Sequence, residues 1–597
     1  MNENKKTLYA IFIFLIIGFG LVQNKRSNSD SEISEDEIMN HIRYLSHEKR
    51  GGRYPGSRGS KDVIAYIIKQ LKSYGIQPGV KNSFVQPFEI NTDIILGDSN
   101  YFKIDDTSLT PETDYIPFSF SGNGTFKGKA IFAGYGFKIE TSDLIWNDYE
   151  SINVKGKWVI VMRHSPEREL QHSVFLEHSS LHKKMLVARD EGALGIIFVS
   201  QVEDLDLYPL QYLEGYKDSG IPVLHLSNSS ADKILRREGW TRKKIQNYMN
   251  TKLKPLSFNI SGTIKAKINL SQITSRAANI VGLIKSGNRE FRDEYIVIGA
   301  HFDHVGNGGH SSGSRKPETL TVHPGADDNA SGTAGLLELA QKLASQKGRL
   351  KRSILLIGFD AEEKGLLGSK YFTENPSVDI HKIKAMINMD MIGRMKDSTF
   401  TVGGVGTSPV FENLVDSLSA YKNFKLNKTK PGFGPSDHAP FYSKDIPVLF
   451  FFSGFHDEYH TPEDTYKLIN LKGQKQILDL VYDVVFNLSR SQKPPSFSEA
   501  GPRSRSMTSE PSFKVTFGIV PNYRSSVVGL EIDQISNSEG PAAKAGIISG
   551  DVIKSINGKK INDVYEYMER LRELKPGKEV PVEINRDGLK IKLSVNF

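Results

Sequence analysis

Four short apolar runs, each followed by side chains that can bind a metal ion, constrain this 597-residue chain more than any other feature. The runs cover residues 295–299, 353–359, 385–389 and 446–452, and the side chains that follow them are, in order, His301, Glu362 and Glu363, Asp390, and His460. Short apolar runs separated by helical patterns predict buried strands of a largely parallel sheet. Because ligands gather beyond the carboxyl ends of such strands, we expect these side chains to lie together.

Two further acids complete the set. Asp303 follows His301 closely, and Asp327 stands in Gly-Ala-Asp-Asp-Asn-Ala-Ser-Gly (325–332). Imidazole and carboxylate both suit zinc, and two metals in one hydrolytic site benefit from a bridging carboxylate. The set therefore predicts ligands for two divalent ions, with Asp327 as the candidate bridge and one carboxylate left over as a base.

Each of these groups also has an ordinary structural interpretation. Asp327 or Asp328 could be only the N-cap of the helical pattern that follows, and the pair Glu362 and Glu363 could be a solvated helix start. Four strand ends that all lead into metal-competent side chains favour the metal site.

Six ordered motifs closely resemble the cocatalytic zinc aminopeptidases related to bacterial leucyl aminopeptidase and glutamate carboxypeptidase. The motifs are Gly-Ala-His-Phe-Asp-His (299–304), Pro-Gly-Ala-Asp-Asp-Asn-Ala-Ser-Gly (324–332), Asp-Ala-Glu-Glu-Lys-Gly-Leu-Leu-Gly-Ser (360–369), Asn-Met-Asp-Met-Ile-Gly (388–393), Ser-Asp-His-Ala-Pro-Phe (436–441) and Tyr-His-Thr-Pro-Glu-Asp-Thr (459–465). The resemblance implies an α/β zinc exopeptidase fold, with a mixed, largely parallel sheet sandwiched by helices.

The same resemblance implies a cofactor of two Zn²⁺ ions per chain. His301 and Asp390 would bind one ion, Glu363 and His460 the other, and Asp327 would bridge both.

Two catalytic residues are implied as well. Glu362 would be the general base, and Asp303 would hold the far nitrogen of His301. In that family the peptide bond between the residues matching Asp327 and Asp328 is commonly cis.

Other polar residues near the motifs are weaker candidates. Asp437 and His438 could orient a ligand or make a structural hydrogen bond, whereas His304, His310 and His323 are interpreted as loop histidines.

Composition excludes several classes of site. The chain has no cysteine, which excludes disulfides and thiolate zinc sites. Its net charge of +8 comes from 77 basic and 69 acidic residues spread along the chain, and the short basic clusters do not interleave with aromatic residues. Nucleic-acid binding is therefore not predicted.

The amino terminus indicates export. Lys5 and Lys6 precede an uncharged apolar run at 8–22, and no Ala-x-Ala cleavage site follows. Residues 1–23 are predicted as a signal peptide or an uncleaved signal anchor, with a linker at 24–36. We expect a protein of the bacterial periplasm or envelope, with anchoring in the membrane by this segment as the alternative.

The rest of the chain predicts three folded parts. The peptidase domain covers residues 37–99 and 266–488, and its first part contains a Gly-Arg loop at 51–59. Between the two parts, residues 100–265 resemble a protease-associated domain, which would shape or cover the cleft or act only as a spacer. A linker at 489–511 precedes residues 512–597, which resemble a PDZ domain. Such a domain binds an extended peptide through its terminal carboxylate, and the alternative is a domain that packs on its neighbour without a ligand.

Together these features predict an exported zinc exopeptidase, favouring an aminopeptidase. A glutamate-carboxypeptidase-like enzyme shares the metal motifs, and a glutaminyl cyclase uses a similar fold with one zinc; both remain alternatives. A non-enzymatic peptide-binding protein would require a degraded metal site, and no ligand is missing from the sequence.

Overall fold

The computed structural model describes residues 32–141, 144–170, 173–204, 206–213, 215–501, 515–522, 527–535, 537 and 539–597. The predicted signal segment at 1–23, and the predicted linker up to residue 31, lie outside the described residues. In the described part of the chain, no helix has both the length and the apolar character needed to cross a bilayer. The chain divides into two compact units, one formed by residues up to 90 and 275–506, the other by 91–274 and 507–597.

The first unit is built on a nine-stranded mixed sheet. In spatial order its strands are Gln77–Pro78, Leu270–Ile284, Ser353–Phe359, Tyr295–His301, Ile383–Met389, Val448–Phe452, Thr399–Gly403 and Lys425–Thr429, and Val85–Leu96 also pairs with Leu270–Ile284. The four strands predicted from the apolar runs are adjacent and parallel, so their carboxyl ends lie at one edge.

Helices cover both faces of this sheet. They are Glu35–Leu45, Arg58–Ser73, Gly332–Ser345, Leu367–Glu374, Phe411–Ser419, His438–Tyr442 and Leu471–Arg490. Alternate residues of one strand enter different cores, because Ile296 and Ile298 pack in one hydrophobic cluster and Val297 in another. The predicted fold class, a mixed and largely parallel sheet sandwiched by helices, is confirmed.

The carboxyl end of the first unit differs from the predicted boundary at 488. The last helix continues to Arg490, and the chain up to 501 stays on the unit: the Ser498 amide donates to the Thr407 carbonyl at 2.8 Å, and the Tyr442 hydroxyl donates to the Gly501 carbonyl at 2.9 Å. The start of the predicted linker is therefore part of the folded unit, and its residues 502–511 lie outside the described residues.

The described part of the second unit contains three further sheets, of eight, six and two strands. The inserted segment has eight strands in the order Thr107–Leu109, Tyr101–Ile104, Ser257–Ile268, Gly124–Ala133, Trp158–Met162, Gly195–Val199, Val223–Leu226 and Tyr115–Pro117, with a separate pair Lys138–Glu140 and Ile145–Asn147 and the helices Leu181–Asp190, Asn228–Arg236 and Arg242–Lys252. The C-terminal segment has the strands Ile519–Pro521, Leu530–Ile535, Val552–Ile556, Lys559–Lys560, Glu579–Arg586 and Leu589–Asn596, and the helices Pro541–Lys544 and Val564–Glu573.

Within the second unit, the C-terminal segment packs on the inserted segment. Arg189 donates two hydrogen bonds to the Glu566 carboxylate, each at 2.8 Å, and Arg570 donates to Asp190 at 2.8 and 3.0 Å. Tyr216 stacks on Tyr565 with ring centroids 4.2 Å apart. The C-terminal domain is therefore held against its neighbour by paired charges and a stacked pair of rings.

Candidate metal centre

Three parallel strands deliver the candidate ligands to one place. His301 ends strand Tyr295–His301, Asp390 directly follows Ile383–Met389, and Glu362 and Glu363 follow Ser353–Phe359 after a short turn. Because the strands are neighbours with aligned carboxyl ends, these side chains meet beyond the sheet edge, as the sequence predicts.

The first group of ligand atoms surrounds His301. Its Nε2 atom lies 3.2 Å from Asp390 Oδ1 and 4.0 Å from Glu362 Oε2. The Ser436 hydroxyl donates to Asp390 Oδ2 at 2.7 Å, and it accepts from the Asn388 side-chain amide at 2.8 Å. These bonds fix the carboxylate so that its other oxygen faces His301.

The second group surrounds His460. Its Nε2 atom lies 3.0 Å from Glu363 Oε2, while Nδ1 lies 2.9 Å from the Gly313 carbonyl. Because a carbonyl oxygen can only accept, Nδ1 carries a proton, and Nε2 is the ring nitrogen that could bind a metal ion. His304 places Nδ1 2.7 Å from Glu363 Oε1, which orients that carboxylate.

Asp328 connects the two groups. Its Oδ1 atom lies 3.4 Å from His301 Nε2, and its Oδ2 atom lies 3.0 Å from His460 Nε2. Two carboxylate oxygens that each face a different histidine are the arrangement a bridging ligand requires.

Asp327, which the sequence predicts as the bridge, is turned away from both groups. Its Oδ1 atom accepts from the Gly393 amide at 2.6 Å, and its Oδ2 atom lies 3.3 Å from His456 Nε2. The cis peptide bond is likewise one residue later than expected, between Asp328 and Asn329. The structure thus corrects the prediction by one position, because the turn presents the second aspartate of the pair to the ligands.

Asp303 has a broader role than holding His301. Its Oδ1 atom lies 3.6 Å from His301 Nδ1. The backbone carbonyl oxygen of Asp303 lies closer to the same nitrogen, at 3.3 Å. Its carboxylate accepts hydrogen bonds from the backbone amides of Glu362 and Glu363 at 3.0 and 3.3 Å. Asp303 therefore ties the turn that carries the two glutamates to the strand end that carries His301.

Excess negative charge dominates the electrostatics of the site. Burial lowers the pKa of His460, but Glu363 and Asp328 outweigh it and raise that pKa to about 12. Burial likewise opposes protonation of His301, yet Asp390 and Glu362 raise its pKa well above the usual range. The carboxylates therefore carry more negative charge than the positive charge that neighbouring side chains supply. Bound cations would balance this excess.

The side chains form two groups, each of which could hold a metal ion. One nitrogen or oxygen from each of His304, Asp328, Glu363 and His460 lies within 4.8 Å of the others, and the same holds for His301, Glu362 and Asp390. His460 Nε2 is buried and makes no hydrogen bond, although two carboxylate oxygens lie 3.0 Å away. Atoms that face one another without hydrogen-bond geometry indicate ligands that converge on a common cation.

Two residues beside the ligands escape a sequence-based prediction. His304 is fully buried against Glu363 rather than lying in an open loop, and its position three residues after His301 in one motif is the only signal for it. Tyr459 stacks on His460 at 3.9 Å, and burial together with Asp328 and Glu363 raises the pKa of its hydroxyl. Its signal is its place directly before His460.

The remaining candidates lie outside the two groups. His438 stacks on Phe450 at 4.4 Å, and burial lowers its pKa to about 3, which supports a structural role. Burial raises the pKa of the neighbouring Asp437 to about 7. His323 contacts the Ser314 hydroxyl at 2.8 Å, and His310 lies 3.2 Å from Glu318.

Comparisons with protein families agree with the motifs. Residues 279–485 match the model of Peptidase family M28, residues 123–234 match the PA domain, and residues 519–597 match the PDZ domain. The three-part resemblance inferred from the sequence is confirmed.

Among curated proteins, the chain is 29% identical over 249 residues to "Aminopeptidase YwaD" of Bacillus subtilis, covering 39% of this chain and 49% of that protein. It is 30% identical over 212 residues to "Leucine aminopeptidase 1" of Uncinocarpus reesii, covering 32% and 51%. The chain thus spans about half the length of these curated relatives. Among solved structures it is similar to a zinc aminopeptidase from Bacillus subtilis, with 21% identity, a TM-score of 0.48, and coverage of 78% of this chain and 99% of the other.

Proposed function

We propose that this chain, whose residues 279–485 match Peptidase family M28, is an exported zinc-dependent exopeptidase that removes residues from the amino termini of peptides. One observation carries the proposal: Asp328 faces both groups of ligand atoms, and Glu362, a partly buried glutamate, lies beside His301. Ligands for two cations beside a spare carboxylate are the components of two-metal hydrolysis.

The ligand set suits zinc. His301 and Asp390 would hold one ion, Glu363 and His460 the other, and Asp328 both. When bound, the two ions would polarise the scissile carbonyl and lower the pKa of the attacking water.

Glu362 is the proposed general base. Its Oε2 atom lies 4.0 Å from His301 Nε2, whereas Asp390 Oδ1 lies 3.2 Å from the same nitrogen. Glu362 therefore lies beside the proposed ligands and need not bind the metal ion itself. Burial raises the pKa of Glu362, which makes its ionised form a stronger proton acceptor, and the cations that the site would hold favour that ionised form. Glu362 would take a proton from water and deliver it to the leaving amine.

The neighbours of the ligands keep these groups in place. Ser436 fixes Asp390, His304 fixes Glu363, and the Asp303 carboxylate binds the amides of the turn that carries Glu362. Such outer contacts orient the ligands and reduce the reorganisation that the reaction requires.

The names of the similar curated proteins, "Aminopeptidase YwaD" and "Leucine aminopeptidase 1", favour a substrate with a free amino group.

Export and peptide capture extend the proposal. The basic and apolar pattern at residues 5–22 supports passage to the bacterial periplasm or envelope, with or without retention as a membrane anchor. The match of residues 519–597 to the PDZ domain supports a peptide carboxyl terminus as a ligand there.

A peptide panel tests the activity. The purified chain, loaded with zinc, is incubated with one peptide in amino-free, amino-acetylated and carboxyl-amidated forms, and products are identified by mass. We expect stepwise loss of amino-terminal residues from the free and amidated forms and no cleavage of the acetylated form. Release of carboxyl-terminal residues instead would support the glutamate-carboxypeptidase alternative, and loss of ammonia from an amino-terminal glutamine would support the cyclase.

A further inference from the structure

Arg53 is a buried arginine that binds backbone carbonyls instead of a carboxylate. Its side chain is 0% exposed, in the loop between helices Glu35–Leu45 and Arg58–Ser73. The acceptors are the carbonyl oxygens of Phe302 at 2.7 Å from Nε, Leu45 at 3.1 Å and Pro324 at 2.5 Å from Nη1, and Gly325 at 2.8 Å and Asp328 at 3.3 Å from Nη2. A buried guanidinium needs such partners, because burial of an unsatisfied charge is very costly.

Four of these five carbonyls belong to the two segments that carry the ligands, and the fifth, that of Leu45, lies at the end of helix Glu35–Leu45. Phe302 lies between His301 and Asp303, and Asp328 is itself the shared ligand. One planar guanidinium therefore connects the end of strand Tyr295–His301 to the turn that presents the Asp328 carboxylate.

The same turn is bound from its other side by a carboxylate. The Asp464 side chain accepts from the amides of Asp327 at 3.0 Å and Asp328 at 3.1 Å. A cation thus binds the carbonyls of the turn and an anion binds its amides. Opposite charges on complementary backbone groups hold the turn in one conformation.

The backbone of the Arg53 loop is shaped for this contact. Gly51, Gly52 and Arg53 have φ values of 50°, 61° and 53°, which only glycine adopts without cost. A Cβ atom on Gly52 would lie 2.2 Å from the Gly306 carbonyl oxygen, and the Gly306 amide donates to the Gly52 carbonyl at 3.1 Å. A non-glycine residue in this region costs roughly 1 to 3 kcal/mol, so the surrounding contacts must maintain it.

The charge of Arg53 persists at neutral pH. Burial lowers its pKa to about 10, while Asp328, Asp303 and Asp464 act in the opposite direction. The guanidinium therefore adds a fixed positive charge close to the carboxylates of the metal centre.

We propose that Arg53 is a positioning residue for the metal centre, which holds the His301 strand end and the Asp328 turn at the separation that two bridged zinc ions require. This inference rests on the proposed function. A lysine cannot replace the arginine, because its ammonium lacks the planar fork that reaches carbonyls on two segments at once.

The test compares Arg53→Lys with Arg352→Lys. Arg352 is a matched control: it is also 0% exposed, donates to Glu294 at 2.7 Å and to the Ser491 carbonyl at 2.5 Å, and precedes strand Ser353–Phe359 at the end opposite the metal centre. Both variants lose a buried fork and should lose stability.

For the folded fraction of each variant, zinc affinity is measured by competition with a chelator. The values of kcat and KM are measured on a peptide with a free amino terminus. Arg53→Lys should weaken zinc binding and lower kcat by about 10- to 100-fold, with KM little changed. Arg352→Lys should change neither zinc affinity nor kcat. Equal zinc affinity and equal kcat in the two variants would overturn the inference.

Failure of the inference is separable from failure of the proposed function. A wild-type chain that binds no zinc and cleaves no peptide refutes the function, whereas an active wild type with an unaffected Arg53→Lys variant refutes only the role of Arg53. If Arg53→Lys does not fold, hydrogen exchange of the Arg53 side chain in the metal-free wild type decides. We expect slow exchange of the Nε proton without zinc, because Nε donates to the Phe302 carbonyl, and exchange as fast as in an exposed arginine would contradict a turn held by Arg53.

Discussion

Replacing Glu362 with glutamine separates the role of the proposed general base from metal binding. The amide keeps the shape of the side chain and removes its ability to accept a proton. The carboxylate lies 4.0 Å from His301 and its side chain is 10% exposed. Because burial disfavours the ionised form of this carboxyl, the neutral amide should not reduce the free energy of unfolding by more than about 1 kcal/mol.

The expected catalytic loss is much larger. General acid–base catalysis contributes roughly 100- to 10,000-fold, so Glu362→Gln should raise the activation free energy by about 3 to 5 kcal/mol. The effect should fall on kcat, because proton transfer occurs after the substrate is bound.

The assay needs a metal count beside the kinetics. The number of zinc ions per chain is measured by elemental analysis. The values of kcat and KM are measured on a peptide with a free amino terminus. Glu363→Gln is the matched control: Glu363 lies 3.0 Å from His460 Nε2 and 2.7 Å from His304 Nδ1, so its loss should reduce zinc content as well as activity. A zinc-replete Glu362→Gln variant with kcat within about threefold of wild type would refute the assignment of the base.

Three further outcomes are expected. Arg189→Ala and Glu566→Ala should each lower the free energy of unfolding of the second unit by about 3 to 5 kcal/mol, because each leaves a buried charge unpaired. In denaturant unfolding the double variant should lose less stability than the sum of the two single losses, and additive losses would contradict the pairing. Truncation after Gly501 should leave kcat/KM on short peptides nearly unchanged, since every proposed ligand precedes it, and a folded, zinc-loaded truncation that fails on dipeptides would show otherwise. Chelation of zinc should lower Tm, with about 2.7 kcal/mol of stabilisation lost relative to a zinc concentration 100-fold above Kd; an unchanged Tm would argue against structural coupling of the metals.

The sequence predicted the sheet, and the grouping of most candidate ligands, because strand ends carry a local signal. An apolar run such as 353–359 defines the strand almost to the residue, and parallel neighbours bring the side chains that follow to one edge. The sequence alone therefore predicted that four candidate ligands lie together: His301, Glu363, Asp390 and His460.

The identity of the shared aspartate could not be predicted in the same way. Asp327 and Asp328 are adjacent residues of one type, and which of them faces the ligands depends on the turn between Gly325, Asp464 and Arg53. Asp464 and Arg53 are distant in sequence, and their side chains form hydrogen bonds that no local pattern reveals.

The packing of the C-terminal domain was also beyond the sequence. Arg189 and Asp190, like Glu566 and Arg570, have the charged character of solvated helix faces, and only the fold shows that they pair. Charge complementarity across two domains depends on their relative placement, which residue types alone do not specify.

The most direct test of the two-metal centre compares Asp328→Asn with Asp327→Asn. The two variants change adjacent residues identically, but only Asp328 faces His301 and His460, whereas Asp327 binds the Gly393 amide. Zinc per chain, measured after exhaustive dialysis, should be two for the wild type and for Asp327→Asn, and should fall clearly below two for Asp328→Asn. Two tightly held zinc ions in Asp328→Asn, or their loss in Asp327→Asn alone, would contradict the proposed centre.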